Sequence, residues 1–206
     1  DRNCHKSIEQ GLALTGGIPV FITPTRNRYG IIGPAAPASL EPAAINASIA
    51  ANPLAKNAAS KKPVYAVLTN CTYDGMCYNA DEAQKQLAQS VDRIHFDEAW
   101  YGYARFNPMY ADRFAMRGDP AKHPTDGPTV FATHSTHKLL AGISQASQII
   151  VQESEARKLD RHIFNEAYLM HTSTSPQYAI IASCDVSAAM MEPPGGTALV
   201  EESIIE

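Results

Sequence analysis

Two stretches of the sequence carry residue types suited to chemistry on a carbonyl or an amine. Residues 93–97 (Arg-Ile-His-Phe-Asp) end on Asp97 and lead into Glu98-Ala99-Trp100. Residues 128–133 (Pro-Thr-Val-Phe-Ala-Thr) run into His134-Ser135-Thr136-His137-Lys138. A lysine amine condenses with an aldehyde, and a carboxylate can hold a proton on a pyridine nitrogen so that the ring takes up electrons. An Asp at one strand tip and a Lys beyond the next therefore suit pyridoxal phosphate. Ser135 and His137, just before the lysine, suit its phosphate, and a tight turn lets Ser135 and Lys138 face one cofactor. From residue types alone the competing reading is a surface Asp and a surface Lys, which is how most such residues behave.

These groups need a scaffold that brings strand tips together. β-branched and aromatic runs predict strands over 18–23, 63–69, 93–97, 128–133 and 146–151. Between them the sequence predicts helices over 5–15, from Ser39 or Leu40 with Pro42 in the first turn, over 80–90 behind an Asn79 cap, and over 160–171 and 176–192. Strands alternating with helices imply an α/β domain with a largely parallel sheet, and such sheets collect ligands at the carboxyl ends of their strands. Residues 98–127, rich in aromatics, Gly and Pro, read as a long loop with short helical pieces, a length that is often functional. The Ala- and Pro-rich stretch 34–60 reads as a biased surface segment. There are no internal repeats.

Composition narrows the function classes. The 206 residues are 45% hydrophobic and 18% charged, enough for a core. Lys+Arg is 17 against Asp+Glu 21, a formal charge of −4, which argues against a binder of nucleic-acid backbone. The aromatic set Trp100, Tyr101, Tyr103, Phe106 and Tyr110, interleaved with Arg105, accordingly reads as loop packing and not as a base-stacking platform. No apolar run reaches the ~18 residues that span a bilayer. No leader is visible, so the expectation is a cytoplasmic protein with no membrane partner. Cys4, Cys71, Cys77 and Cys184 form no CxxC pair and read as reduced thiols. His134 and His137 have a His-x-x-His spacing, but without supporting cysteines this is a weak zinc signal, so no metal is expected. His123, His162 and His171 read as ordinary surface or core histidines. The chain opens on the polar string 1–7 and closes in a stretch that reads as a helix cut short, so a piece of a larger protein is expected.

Five strings, in order, resemble the bacterial ornithine/lysine/arginine decarboxylases: Asp1-Arg2-Asn3-Cys4-His5-Lys6-Ser7, Thr69-Asn70-Cys71-Thr72-Tyr73-Asp74-Gly75, His95-Phe96-Asp97-Glu98-Ala99-Trp100, Ser135-Thr136-His137-Lys138-Leu139-Leu140-Ala141 (with Ser144-Gln145-Ala146-Ser147 after it) and Met170-His171-Thr172-Ser173-Thr174-Ser175-Pro176. The resemblance implies a three-layer, aspartate-aminotransferase-like (fold-type-I) domain with a mixed, mostly parallel sheet. It implies that residues 1–206 are the major pyridoxal-phosphate domain, incomplete, with a wing domain, the earlier part of the cofactor domain and a C-terminal domain lying outside this sequence. Carried over residue by residue, Lys138 matches the cofactor lysine and Asp97 the carboxylate on the pyridine nitrogen. His5 matches the ring-stacking histidine. Ser135 and His137 match phosphate-side residues, Ser173 a position reaching the phosphate in the partner subunit of a homodimer, and Trp100 a residue near the cofactor. The implied reaction is decarboxylation of a basic amino acid. Residues 97–108 and 26–34 look nearest the arginine branch, with lysine and ornithine as alternatives. A non-catalytic binding or scaffold domain of the same fold is the rival class, separable by cofactor titration.

Overall fold

Four β-branched and aromatic runs pair into one sheet in a computed structural model that describes residues 1–205. The strands are β1 (Ala66–Thr69), β2 (Arg93–Asp97), β3 (Thr129–His134) and β4 (Gln148–Gln152), in the spatial order β1-β2-β3-β4. The first three are parallel and β4 is antiparallel to β3. The register sets Thr69, Asp97 and Thr133 side by side, so three carboxyl ends stop on one line.

Among the described residues, seven α-helices accompany the sheet: α1 (Lys6–Thr15), α2 (Pro42–Ala51), α3 (Ala80–Leu87), α4 (Thr136–Leu139), α5 (Arg161–Met170), α6 (Tyr178–Met191) and α7 (Gly195–Ile205). Their starts follow capping chemistry. Asn79 accepts from Glu82 N ahead of α3, and Asp160 accepts from His162 N and Ile163 N ahead of α5. Each satisfies donors that have no partner inside the helix. Pro42 occupies the first turn of α2, where its missing N–H is harmless.

Strand alternation sends residues to two unlike faces. Leu68, Ile94, Phe96, Val130 and Ala132, all fully buried, pack under Ala83 and Leu87 of α3 and Ile45 and Ile49 of α2. The other face carries Thr69, His95, Asp97, Phe131 and Thr133. Over it, Phe164 of α5 stacks on Phe131 with centroids 6.4 Å apart, although no residue of α5 is fully buried.

Two expectations are corrected. Residues 18–23 form no strand and join no ladder of the sheet. Pro19 removes a backbone donor there, and the segment is held by Arg2 N donating to Ile22 O at 2.8 Å and Asn52 Nδ2 donating to Pro19 O at 2.9 Å, while Val20 and Ile22 pack against the core. The stretch 34–60 is not merely surface: Leu40, Ile45, Ile49 and Ala55 lie in the main core. Ile45 and Ile49 are one helical turn apart, so a single face of α2 is buried despite its Ala-rich composition. Residues 98–127 hold three short 3₁₀ turns, at Ala104–Phe106, Pro108–Tyr110 and Pro120–Lys122. Their rings pack as the composition predicts: Tyr101, Tyr103 and Tyr110 meet edge-to-face at 5.5–5.6 Å.

Candidate active site

The polar groups collect where β1, β2 and β3 end. Asp97 is the last residue of β2, half-buried. One carboxylate oxygen accepts from Ala99 N at 3.3 Å, and its second oxygen has no donor among the described residues. Its backbone is pinned on both sides: Asn70 N donates to Asp97 O at 2.8 Å, and Glu98 N donates to Thr133 O at 3.0 Å. Beneath it on the same face, His95 bridges Tyr65 and Thr133, each oxygen 2.7 Å from a ring nitrogen. Burial lowers the pKa of His95, opposed by the nearby Asp97 charge, so the ring favours the neutral form.

Lys138 leaves β3 on the short helix α4. Its ammonium lies over the Trp100 ring, 4.5 Å from the centroid, and no carboxylate comes within ion-pair distance among the described residues. The Trp100 ring meets Tyr73 edge-on at 5.4 Å. The loop after α4 is tight: Gly142 N donates to Thr136 O, and a Cβ at Gly142 would lie 2.9 Å from the Thr136 carbonyl carbon. Glycine is required there by close approach. Ser135 stands at the N-cap position of α4, where its side chain makes no capping bond. The exposed His137 ring places Nδ1 2.7 Å from Ala146 O. A carbonyl can only accept, so Nδ1 carries the proton and Nε2 points elsewhere.

The sequence-predicted residues are thus brought together unequally. Asp97, Trp100, Ser135, His137 and Lys138 share the tips of β2 and β3. His5 is exposed and caps α1, its Nδ1 2.9 Å from Ser7 Oγ. The segment leading to it runs along the β1 edge, with Thr69 Oγ1 donating to Asn3 O at 2.6 Å and Thr69 N to Asp1 Oδ2 at 3.0 Å. Ser173 is exposed in the α5–α6 connection, and its hydrogen bonds go to Ser175. The two histidines of the weak zinc pattern are held apart in role: His134 turns to Glu98 and His137 to Ala146 O.

Sequence reasoning missed Glu98. It is 1% exposed and accepts from Asn70 Nδ2 at 2.8 Å, Ala115 N at 2.7 Å and His134 Nε2 at 3.1 Å. The signal was present: alternation along β2 puts Glu98 on the same face as Ile94 and Phe96, which is the core face.

A mostly parallel sheet with an unpaired lysine beyond one strand tip and an open carboxylate on its neighbour defines an α/β domain of the ligand-at-the-tips kind. The family model described as Orn/Lys/Arg decarboxylase, major domain, matches residues 1–206, and the chain belongs to this family. It is 59% identical over its whole length to the biodegradative arginine decarboxylase of Escherichia coli K12, spanning 27% of that protein. It is 53% identical over its whole length to the lysine decarboxylase LdcA of Pseudomonas aeruginosa, again spanning 27%. The solved structure of lysine decarboxylase A from Pseudomonas aeruginosa superposes with a TM-score of 0.88 at 52% identity, over 97% of this chain and 26% of that one. The chain therefore spans about a quarter of the length of the relatives it matches. The family fold, an α/β fold-type-I domain with a mixed sheet, is that of these neighbours. Among the described residues no helix is long and apolar enough to cross a membrane.

Proposed function

We propose that the full-length protein containing this segment is a pyridoxal-phosphate-dependent decarboxylase of a basic amino acid, with arginine the preferred substrate and residues 1–206 its major cofactor domain. The observation carrying this reading is the placement of Lys138 and Asp97 on neighbouring strand tips in a chain of this family. The residues present fit the cofactor: the second oxygen of Asp97 awaits a donor, and the amine of Lys138 rests on an aromatic face without a counter-ion.

When bound, pyridoxal phosphate supplies an aldehyde that condenses with amines and a ring that takes up the electron pair left by the departing carboxylate. Lys138 would hold the cofactor through its amine. Asp97 would keep the proton on the pyridine nitrogen, since a carboxylate charge favours the protonated ring. Trp100 offers its face to the Lys138 ammonium, a contact worth about 0.5–2 kcal/mol. Ser135, whose side chain makes no capping bond, would donate its hydroxyl to the phosphate. His137, with Nδ1 already committed to Ala146 O, would present its Nε2 edge to the phosphate side of the cofactor. His5 would lie on the ring side of the cofactor, and Ser173 would serve the site of a second copy in a homodimer. The α5–α6 face, with Ile163, Leu169, Met170 and Ile181 exposed, belongs in this reading to the covered surface of that dimer. Arginine is favoured over lysine by the higher identity to the arginine enzyme, 59% against 53%. The product amine would leave with carbon dioxide in a cytoplasmic reaction that consumes one proton.

The test is Lys138→Ala in the full-length protein. We expect loss of the visible cofactor band and of carbon dioxide release from arginine. A borohydride-reducible adduct retained on the variant would overturn the assignment. Parallel assays with lysine and ornithine decide the substrate.

A further inference from the structure

Glu98 is the only fully buried carboxylate among the described residues. A buried charge costs several kcal/mol unless it is paired and hydrogen-bonded, and apolar residues of similar volume often serve stability better. The ≈130 Å³ cavity beside it on the core side of the sheet is lined by Phe106, Phe114, Leu140 and Ile150 together with the polar side chains of Arg105 and Gln148. A carboxylate kept in such a place calls for a role, and its contacts define one.

Glu98 Oε1 holds Asn70 Nδ2, directly beyond β1, together with Ala115 N from the 98–127 loop. Oε2 holds the Nε2–H of His134, the last residue of β3. Asn70 in turn donates its backbone N–H to Asp97 O, accepts from Tyr78 N at its Oδ1, and gives a second Nδ2 hydrogen to Arg113 O. One side chain thus joins the ends of all three parallel strands from behind, while its own backbone N–H is fixed on Thr133 O. Asp97, one residue earlier, points to the opposite face.

Resting on the function proposed above, we propose that Glu98 is a positioning residue: through Asn70 and His134 it fixes the strand tips so that the Asp97 carboxylate meets the cofactor's ring nitrogen. Glu98 touches no reacting atom. Its role is geometric, requiring an acceptor of full glutamate length and not the negative charge. A glutamine keeps Oε1 for Asn70 and Ala115 and offers Nε2–H to His134, whose ring accepts by moving its proton to Nδ1. An aspartate keeps the charge but is one methylene short of spanning three partners.

The experiment uses the full-length protein and two probes, pyridoxal phosphate and its 1-deaza analogue, which lacks the ring nitrogen. The ratio of their dissociation constants reports the Asp97–nitrogen contact independently of turnover. Asp97→Asn calibrates the loss of that contact. We expect Glu98→Asp to reduce the ratio about tenfold, Glu98→Gln to keep it within about threefold of wild type, and Asp97→Asn/Glu98→Asp to be no worse than Asp97→Asn alone, the signature of one residue acting through the other. Equal weakening toward both probes in Glu98→Asp, a wild-type ratio in that variant, or a loss in Glu98→Gln matching Asp97→Asn overturns the proposal. Failure of the wild-type protein to bind pyridoxal phosphate would instead overturn the functional reading beneath it.

Discussion

Adjacent residues of β2 face environments of opposite chemistry. Ile94 and Phe96 enter a layer in which Leu68, Val130 and Ala132 of the neighbouring strands are apolar and fully buried against α2 and α3. His95 and Asp97 enter a layer of Thr69, Thr133 and Phe131, covered more thinly through Phe164. The first layer supplies hydrophobic stabilisation, about 25 cal/mol per Å² of apolar surface removed from water. The second gives up some of that gain to keep carboxylate, imidazole and amine within reach of solvent and ligand. The strand tips are the boundary between the two, and Glu98 is the carboxylate that crosses to the apolar side.

The sharpest way to break this contrast is to neutralise the chemical face without changing its shape. Asp97→Asn in the full-length protein should still bind cofactor, more weakly, while turnover falls at least about a hundredfold, since each ~1.4 kcal/mol of transition-state stabilisation is tenfold. A near-normal rate of carbon dioxide release would mean that another group holds the ring proton.

The packing face should answer differently. Phe96→Ala should lower the opening free energy of β2 and β3 by about 3–5 kcal/mol, read from amide hydrogen exchange. Phe131→Ala, under the thinner layer, should cost less than Phe96→Ala. Equal losses would show that the two layers are packed alike.

His95 adds a pH signature to the chemical face. Burial holds its folded pKa below the ordinary 6.5, so the unfolded chain binds the extra proton first. Its contribution to stability is complete above about pH 6.5 and is lost as pH falls through the folded value. Exchange protection in β2 and β3 should therefore drop on acidification below pH 6.5, and His95→Gln should flatten that drop. An unchanged slope in the variant would assign it to other groups.

The smallest effect belongs to the edge of the thin layer. Asp160→Ala removes the cap of α5 and leaves two backbone donors unpaired. About 1 kcal/mol is expected, a roughly fivefold faster exchange of the first α5 amides with no change in β2.

Much of this architecture follows from the amino-acid order because the relevant interactions are local. Residues 93–97 coincide with β2, and Asn79 and the 160–171 pattern predict α3 and α5, because β-branching and side-chain caps act within a few residues of themselves. Lys138, Ser135 and His137 could be placed together for the same reason: a short turn after a strand is a local event. The proline-broken segment 18–23 carries a strand composition yet lacks the backbone donors for a ladder, and Ile45 and Ile49 carry an unremarkable composition yet fill the core. Which apolar run finds a partner is decided by the rest of the fold. The exposed placement of His5 and Ser173 likewise depends on what packs around their elements and not on their immediate sequence. The clearest division falls between two neighbouring acids. Sequence marks Asp97 and Glu98 alike as carboxylates at a strand end. Alternation along β2 already assigns the two acids to opposite faces, but the pairing of β1, β2 and β3 is what surrounds Glu98 with Asn70, Ala115 and His134, because the neighbouring strands decide which face is filled.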